Sequence, residues 1–303
     1  MQQLDRLVYL TLAYSAYFAY PLTLLEIQQR LVSSDDVEFL FAKKQAKLLK
    51  NNFSLQQIRN SLKKLIKQGL INFSDGYYFL SKQHLESRLQ KQKFIAEKEV
   101  ALADLQRLLK RIPFIKAAAM TGATAVDNAK RFDDLDILII SQSGTLWLTR
   151  LTLVLISKWK NKRPFKSKNA WCFNLFLDED DLKIRPKRRS LYEAYEMMQM
   201  RFFYDPKEIG RKMINVNLDW LQKYLCYYQD LGLSTKKVQS EVFEKSGKVT
   251  FLNQLFFFLQ RFYRRLNFGL ENFDLSLNQA FFNQVNFRFK LYSHLKKQLA
   301  KLL

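Results

Sequence analysis

One stretch, Pro113 to Ile140, restricts this chain more than any other. An apolar run, Phe114 to Met120, stops at Thr121-Gly122-Ala123. A small and polar segment follows, Thr124 to Lys130, and then Asp134-Leu135-Asp136 runs straight into Ile137-Leu138-Ile139-Ile140. That last run is apolar and rich in β-branched residues, which reads as a buried strand. Side chains two apart on a strand share a face. Asp134 and Asp136 therefore point the same way at the strand's start, beside the end of the preceding strand. Two carboxylates placed so repel each other and lose hydration. A divalent cation relieves both effects, and Mg²⁺, or Mn²⁺ in its place, suits carboxylate oxygens together with phosphate oxygens. Gly122 lets the backbone turn and lets a ligand approach without a Cβ in the way.

This arrangement resembles the nucleotidyltransferase superfamily typified by DNA polymerase β. Its signature is a strand ending in Gly-Gly or Gly-Ser, a short helix, then Asp-x-Asp on the next strand. Gly122-Ala123 takes the first place and Asp134 and Asp136 the second, with residues 124 to 133 between. Further similarity, in Leu146-Trp147-Leu148-Thr149-Arg150, in CFNLFLDED and in LYEAYEMMQ, is to bacterial proteins that join a winged helix to such a domain; it covers most of residues 1 to 225. The resemblance implies a mixed sheet with helices and transfer of a nucleotidyl group from a nucleoside triphosphate to a hydroxyl acceptor. It implies Asp134 and Asp136 as catalytic and metal-holding residues, and Gly122, Ala123 and Thr124 as the seat of the triphosphate. Lys130 and Arg131 are candidates for added positive charge.

Two departures from the signature bear on chemistry. Ala123 stands where Ser or Gly is usual, which removes a hydroxyl contact to phosphate. The third carboxylate, carried in the family by a later strand, has no obvious match. The later strand here is Trp171 to Leu177, with Asn174 as its central polar residue and Cys172 and Phe176 expected on the same face. Asn174 is the candidate third metal ligand, through a carbonyl oxygen that brings no charge. The competing expectation is a non-catalytic winged-helix regulator that binds nucleic acid and carries a degenerate nucleotide-binding domain. A third is an adaptor at a membrane surface.

Charge bears on partners. The 303 residues include 50 Lys and Arg against 28 Asp and Glu, a formal net charge of +22. Packing gains nothing from such an excess. It points to a polyanionic partner, most simply nucleic acid, or to an anionic membrane surface. Cys172, Cys226, His84 and His294 are too few and too scattered for a zinc site of standard spacing. Both cysteines are expected buried and reduced, as in a cytoplasm. The first residues lack the basic start, apolar core and small-residue cleavage site of a signal peptide, so a cytoplasmic location is expected. No apolar run reaches the ~18 residues of a membrane span.

The N-terminal part reads as a winged helix-turn-helix over residues 1–81. A helix spans residues 4 to 20 and Pro21 stops it. Thr23-Leu24-Leu25-Glu26 is a capping box opening a second helix, and a third runs from about Val37 to Lys50 after a polar joint at Ser33 to Asp36. Ser54-Leu55-Gln56-Gln57 opens a fourth, with Ile58, Leu62, Leu65 and Ile66 on one face, and Arg59, Lys63, Lys64 and Lys67 elsewhere. Gly69 can cap its end, and Asp75-Gly76 marks a hairpin. In that fold Leu55 to Gln68 enters the major groove, with Gln56, Gln57, Arg59 and Asn60 able to read bases.

Residues 82–112 are expected to form a connecting helix or two, 113–203 the nucleotidyltransferase domain, and 204–303 a helical C-terminal region. Within the last, 206–226 reads as a helical hairpin and 227–248 as a polar linker. From Val249 onward the chain is helical, aromatic and basic; Leu255 to Leu259 with Arg261, Arg264 and Arg265 is amphipathic and is expected first to pack on the body. Two basic runs, 158–168 and 183–189, flank the Asn174 strand and suggest a phosphate-binding rim. Asp178 to Asp181 reads as a solvated turn. The class that results is α+β.

Overall fold

The computed structural model describes residues 2–41, 53–162, 169–227, 251–268, 273–282 and 286–302. Helix α1 (Gln3–Tyr17) is apolar on more than one face and accordingly buried from Leu7 to Ser15. The Thr23 box opens α2 (Leu24–Gln29): its hydroxyl accepts the Glu26 N–H at 3.2 Å, and Glu26 accepts the Thr23 N–H at 2.8 Å. Helix α3 (Val37–Phe41) is the described part of the third helix; its expected continuation to Lys50 lies outside the described residues. Helix α4 (Leu55–Lys67) starts on the Ser54 box and buries Ile58, Ser61, Leu62 and Leu65. Ile66, expected in that stripe, is exposed. Gly69 follows at φ +69°. Strands β1 (Asn72–Ser74) and β2 (Tyr77–Phe79) pair antiparallel across Asp75 and Gly76, both at positive φ, as a two-residue hairpin turn requires. An antiparallel bridge between Leu22 and Tyr78 joins the segment before α2 to this hairpin.

Helices α5 (Lys82–Gln92) and α6 (Ile95–Leu109) lead to a six-stranded mixed sheet. Its strands are β3 (Ile115–Met120), β4 (Leu135–Ser141), β5 (Trp171–Asp178), β6 (Arg201–Tyr204), β7 (Asp274–Leu275) and β8 (Gln279–Phe281), in the order β6-β3-β4-β5-β8-β7. Only β4 and β5 are parallel. Parallel neighbours need a crossover, which α8 (Leu146–Trp159) supplies. The short α7 (Gly122–Ala125) lies between β3 and β4, and α9 (Leu191–Gln199), α10 (Ile209–Leu221), α11 (Phe251–Phe268) and α12 (Asn286–Leu299) complete the fold.

Strand alternation divides the interior in two. Ala117, Ala119, Leu138, Ile140, Leu175 and Leu177 face a core that continues through α9 and α10 into α1, α4 and α12. Ala118, Leu135, Ile137, Ile139 and Phe176 face a second core with Leu105 and Leu109 of α6, Trp147 and Leu153 of α8, and Phe257 of α11.

The second half departs from expectation. Residues 201–226 hold an edge strand and one long helix, rather than a helical hairpin. The C-terminal region, expected to be helical, also supplies β7 and β8 at the far edge of the sheet. These strands are too short for alternation to register; pairing of β8 with β5, and of β7 with β8, makes them strands. Helix α12 returns to α1, where Tyr9 donates its hydroxyl to Gln298 Oε1 at 3.1 Å. The expected linker lies outside the described residues, Tyr227 apart.

Asn217, fully buried on α10, ties the loop after β5 to that helix. Its Nδ2 donates to the carbonyls of Leu182 (2.9 Å) and Met213 (2.7 Å), and its Oδ1 accepts from Ile184 N–H and Trp220 Nε1–H, both at 2.8 Å. Leucine there would orphan several buried groups at about 1–3 kcal/mol each. Asn217→Leu is expected to lower the unfolding free energy by roughly 3 kcal/mol. Urea titration measures the difference, and a loss under about 1 kcal/mol would show that the network is replaceable.

Candidate active site

Leu135 sends its side chain into the α6–α8 core, so its neighbours emerge on the other face. Asp134 and Asp136 are both half-buried there. The Thr121 N–H donates to the Asp136 carbonyl at 2.9 Å and closes the end of β3 onto β4. Gly122 follows at φ +61°, and a Cβ on it would stand 2.8 Å from Asp136 Oδ2. Both the backbone conformation and the carboxylate disfavour a side chain at this position. Ala123 is half-buried, and its carbonyl accepts the Asn128 N–H at 2.9 Å. Thr124, expected at a phosphate, is instead buried with its hydroxyl 3.4 Å from the Asp134 carbonyl, where it holds the turn together.

On the neighbouring strand Cys172 stands opposite Asp136, and the register slips between Ile137 and Leu138, leaving Asn174 as the extra residue of a bulge. Bulges re-aim side chains. This one brings Asn174 Nδ2 to 2.8 Å from Asp136 Oδ1, to which it donates. Asn174 Oδ1 is buried without a partner. The same bulge reverses the alternation, so Phe176 enters the opposite core rather than sharing the face of Cys172.

Two groups that the sequence reading missed reach this corner. Glu196 of α9 accepts the Gly122 N–H at 3.3 Å. Burial, followed by the charge on Asp136, pushes its carboxyl up to about 8. Lys98 of α6 is buried, and its ammonium donates to the Asp133 carbonyl. Burial pulls its pKa down, while Asp133, Asp134 and Asp136 pull it up. Both left a trace in the sequence. Lys98 interrupts the apolar stripe it forms with Leu102, Leu105 and Leu109, and Glu196 follows three residues after the buried Glu193 on an otherwise apolar helix face.

Asp136 itself is pushed up to about 6 by burial, with Asp134 and Asp133 adding to the rise and the Cys172 thiol and Lys98 opposing it. Burial, then the charges of Asp136 and Asp134, also push the Cys172 thiol up. Among the described residues, no three His, Cys, Asp or Glu side chains close into a metal cage. The corner offers two carboxylates and an unpartnered amide oxygen, all hard donors. Such a set fits Mg²⁺ or Mn²⁺ when a substrate's phosphates and water complete the shell.

The second basic run is drawn into ion pairs rather than left open as a phosphate rim. Lys183 pairs with Asp219 (3.1 Å), Lys187 with Asp274 (2.7 Å) and Arg188 with Glu193 (3.6 Å), so the second run fastens β7, α9 and α10 together. In the first, Lys158 and Lys160 are exposed, while residues 163–168 lie outside the described residues. Lys130 and Arg131 are exposed beside the corner. Asp178 is buried rather than solvated, accepting the Gly144 N–H at 2.7 Å and the Asp180 N–H at 3.1 Å. Cys172 and Cys226 are free thiols, half-buried rather than fully buried. No protein-family model matches the chain, and no curated protein or solved structure is significantly similar to it.

The raised carboxyls give the metal-free protein a signed pH dependence. Asp136 and Glu196 hold protons more tightly folded than unfolded, so their contribution to stability falls as pH rises, up to about 6 for the first and about 8 for the second. Glu196→Gln is expected to remove the upper part of that fall and to raise Tm at pH 8 relative to wild type. Thermal unfolding across the acid-to-alkaline range in a chelator checks it; parallel Tm profiles for the two proteins would contradict it.

Proposed function

We propose that this protein is a metal-dependent nucleotidyltransferase of the DNA polymerase β type, moving a nucleotidyl group from a nucleoside triphosphate to a hydroxyl acceptor. The observation that carries this reading is the close approach of Gly122, at φ +61°, to Asp136 Oδ2 where β3 turns through α7 into β4. A strand, a side-chain-free turn, a short helix and an Asp-x-Asp strand then stand in the order this chemistry uses.

Asp134 and Asp136, with the Asn174 carbonyl as a neutral third donor, would hold Mg²⁺ or Mn²⁺, which when bound neutralises the triphosphate and lowers the pKa of the acceptor hydroxyl. The chain's own residues prepare the site. Asn174 holds Asp136 Oδ1 through its amide N–H, which leaves Oδ2 beside the Gly122 turn. Gly122 and Ala123 present no bulky side chain to an approaching phosphate. Glu196, with its carboxyl at about 8, is largely neutral at pH 7 and so adds little repulsion against a polyanion. The Lys98 ammonium offsets part of the carboxylate charge.

The N-terminal elements support a winged helix-turn-helix, with the β1–β2 hairpin as wing and the Leu22 bridge as its third strand. Gln56, Gln57, Arg59, Asn60, Lys63, Lys64 and Lys67 are all exposed on α4, a surface suited to a nucleic-acid partner. Asn174 in the third acid's place favours a second reading, a regulator that binds nucleotide without turnover.

Nucleoside triphosphate with Mn²⁺ is expected to raise Tm, since a ligand at a hundredfold excess over Kd adds about 2.7 kcal/mol. The double variant Asp134→Ala, Asp136→Ala should lose the rise; a rise that survives overturns the site. Label transfer from an α-labelled triphosphate separates the two readings, because the regulator gives the Tm rise alone.

Asn174→Asp should tighten Mn²⁺ binding, since a unit charge about 4 Å away is worth roughly 4 kcal/mol at an effective dielectric of about 20, before desolvation. It replaces the N–H that Asp136 now accepts with a third carboxylate, so the metal-free variant should melt below wild type. Unchanged metal affinity and unchanged metal-free Tm together would remove Asn174 from the site.

A further inference from the structure

Helix α11 is built inside out. Toward the body it turns Asn253, Phe256, Phe257, Gln260 and Arg264. The polar members of that set are engaged. Asn253 Oδ1 accepts the Trp147 N–H at 2.7 Å, Gln260 donates to the Trp147 carbonyl at 2.9 Å and accepts from Arg150, and Arg264 lies over the Phe282 ring at 4.2 Å. Away from the body it turns Phe251, Leu255, Phe258, Leu259, Phe262 and Leu266, all exposed, with both Phe258 and Phe262 at 63%. Their spacing of i, i+4, i+7, i+8, i+11 and i+15 makes one stripe. A helix on the surface of a globular protein normally buries such a stripe. Arg261 and Arg265 run along one margin of it. Helix α8, on which α11 packs, adds exposed Leu155 and Trp159, with the Lys160 ammonium 4.4 Å from the Trp159 ring centre.

We infer that this face docks on an anionic lipid bilayer, with α11 lying in the plane of the interface. An aromatic and aliphatic stripe with a basic margin matches apolar depth beneath anionic headgroups. A second copy of the chain would bring the same arginines, and a net charge of +22, against its own kind. No helix among the described residues is long and apolar enough to cross a membrane, so the contact is peripheral.

The test uses the full chain with vesicles of phosphatidylcholine, alone or mixed with phosphatidylglycerol. Trp147, Trp171 and Trp220 are buried and Trp159 is 76% exposed, so brominated acyl chains report on Trp159. The protein should float with the anionic vesicles, keep part of that binding in high salt, and show bromine quenching that Trp159→Phe removes. Phe258→Ser with Phe262→Ser exchanges exposed side chains and should melt like wild type. It should lower the partition coefficient by about tenfold for each phenylalanine. Arg261→Gln with Arg265→Gln should weaken the preference for phosphatidylglycerol. Binding that salt abolishes and that the serine variant retains would be adsorption by net charge alone, and overturns the proposal. So does a stable dimer in sedimentation equilibrium that the serine variant dissociates, which would assign the stripe to a second copy.

Discussion

The contact between Gly122 and Asp136 is the constraint on which the centre of this structure depends. A carboxylate oxygen occupies the place a Cβ would need, and φ is positive, so the turn that takes the backbone out of β3 favours glycine on two counts. Five elements then meet at that point. The end of β3 is closed onto β4 by the Thr121 N–H, α7 fills the turn, the β5 bulge delivers Asn174, and α9 delivers Glu196 to the Gly122 N–H. A side chain at position 122 would have to displace Asp136, and with it the hydrogen bond from Asn174.

Two asparagines, Asn217 fully buried and Asn174 half-buried, show how differently the molecule treats polar groups at the corner and away from it. Asn217 satisfies both ends of its amide within the fold. Asn174 satisfies its N–H end on Asp136 and leaves its carbonyl oxygen without a partner. An unmatched acceptor beside two carboxylates, one of them raised to about 6, makes a corner short of positive charge. Lys98 supplies some, but it is held by the Asp133 carbonyl and weakened by burial. The remaining demand is for a cation from outside or for protons, and the two compete at the same oxygens.

What could be read in the sequence was local. Capping boxes at Thr23 and Ser54, the Asp75-Gly76 hairpin, the Leu146–Trp159 helix and the Gly122-to-Asp136 spacing each depend on residues a few positions apart, and each is present as read. What escaped depends on distance in the chain. Phe176 was misplaced because a bulge has no local signature, and one extra residue exchanges the two faces of a strand. Strands β6, β7 and β8 are defined by partners far away in sequence. Glu196 is one of two glutamates on a largely apolar helix, and only packing against α7 brings it to the Gly122 N–H.

The positive charge is sorted by the same long-range pairing. The run at 183–189 looked like a surface rim, yet Asp219, Asp274 and Glu193 draw its side chains onto the body. Exposed basic side chains remain on α4, at the end of α8 and on α11. Helix α4 belongs to the core on the Leu138 and Ile140 face of the sheet, whereas α11 packs into the core on the Ile137 and Ile139 face. The two helices thus belong to opposite faces of the sheet, and Asp134 and Asp136 emerge on the side away from α11, because Leu135 between them enters the core that α11 covers.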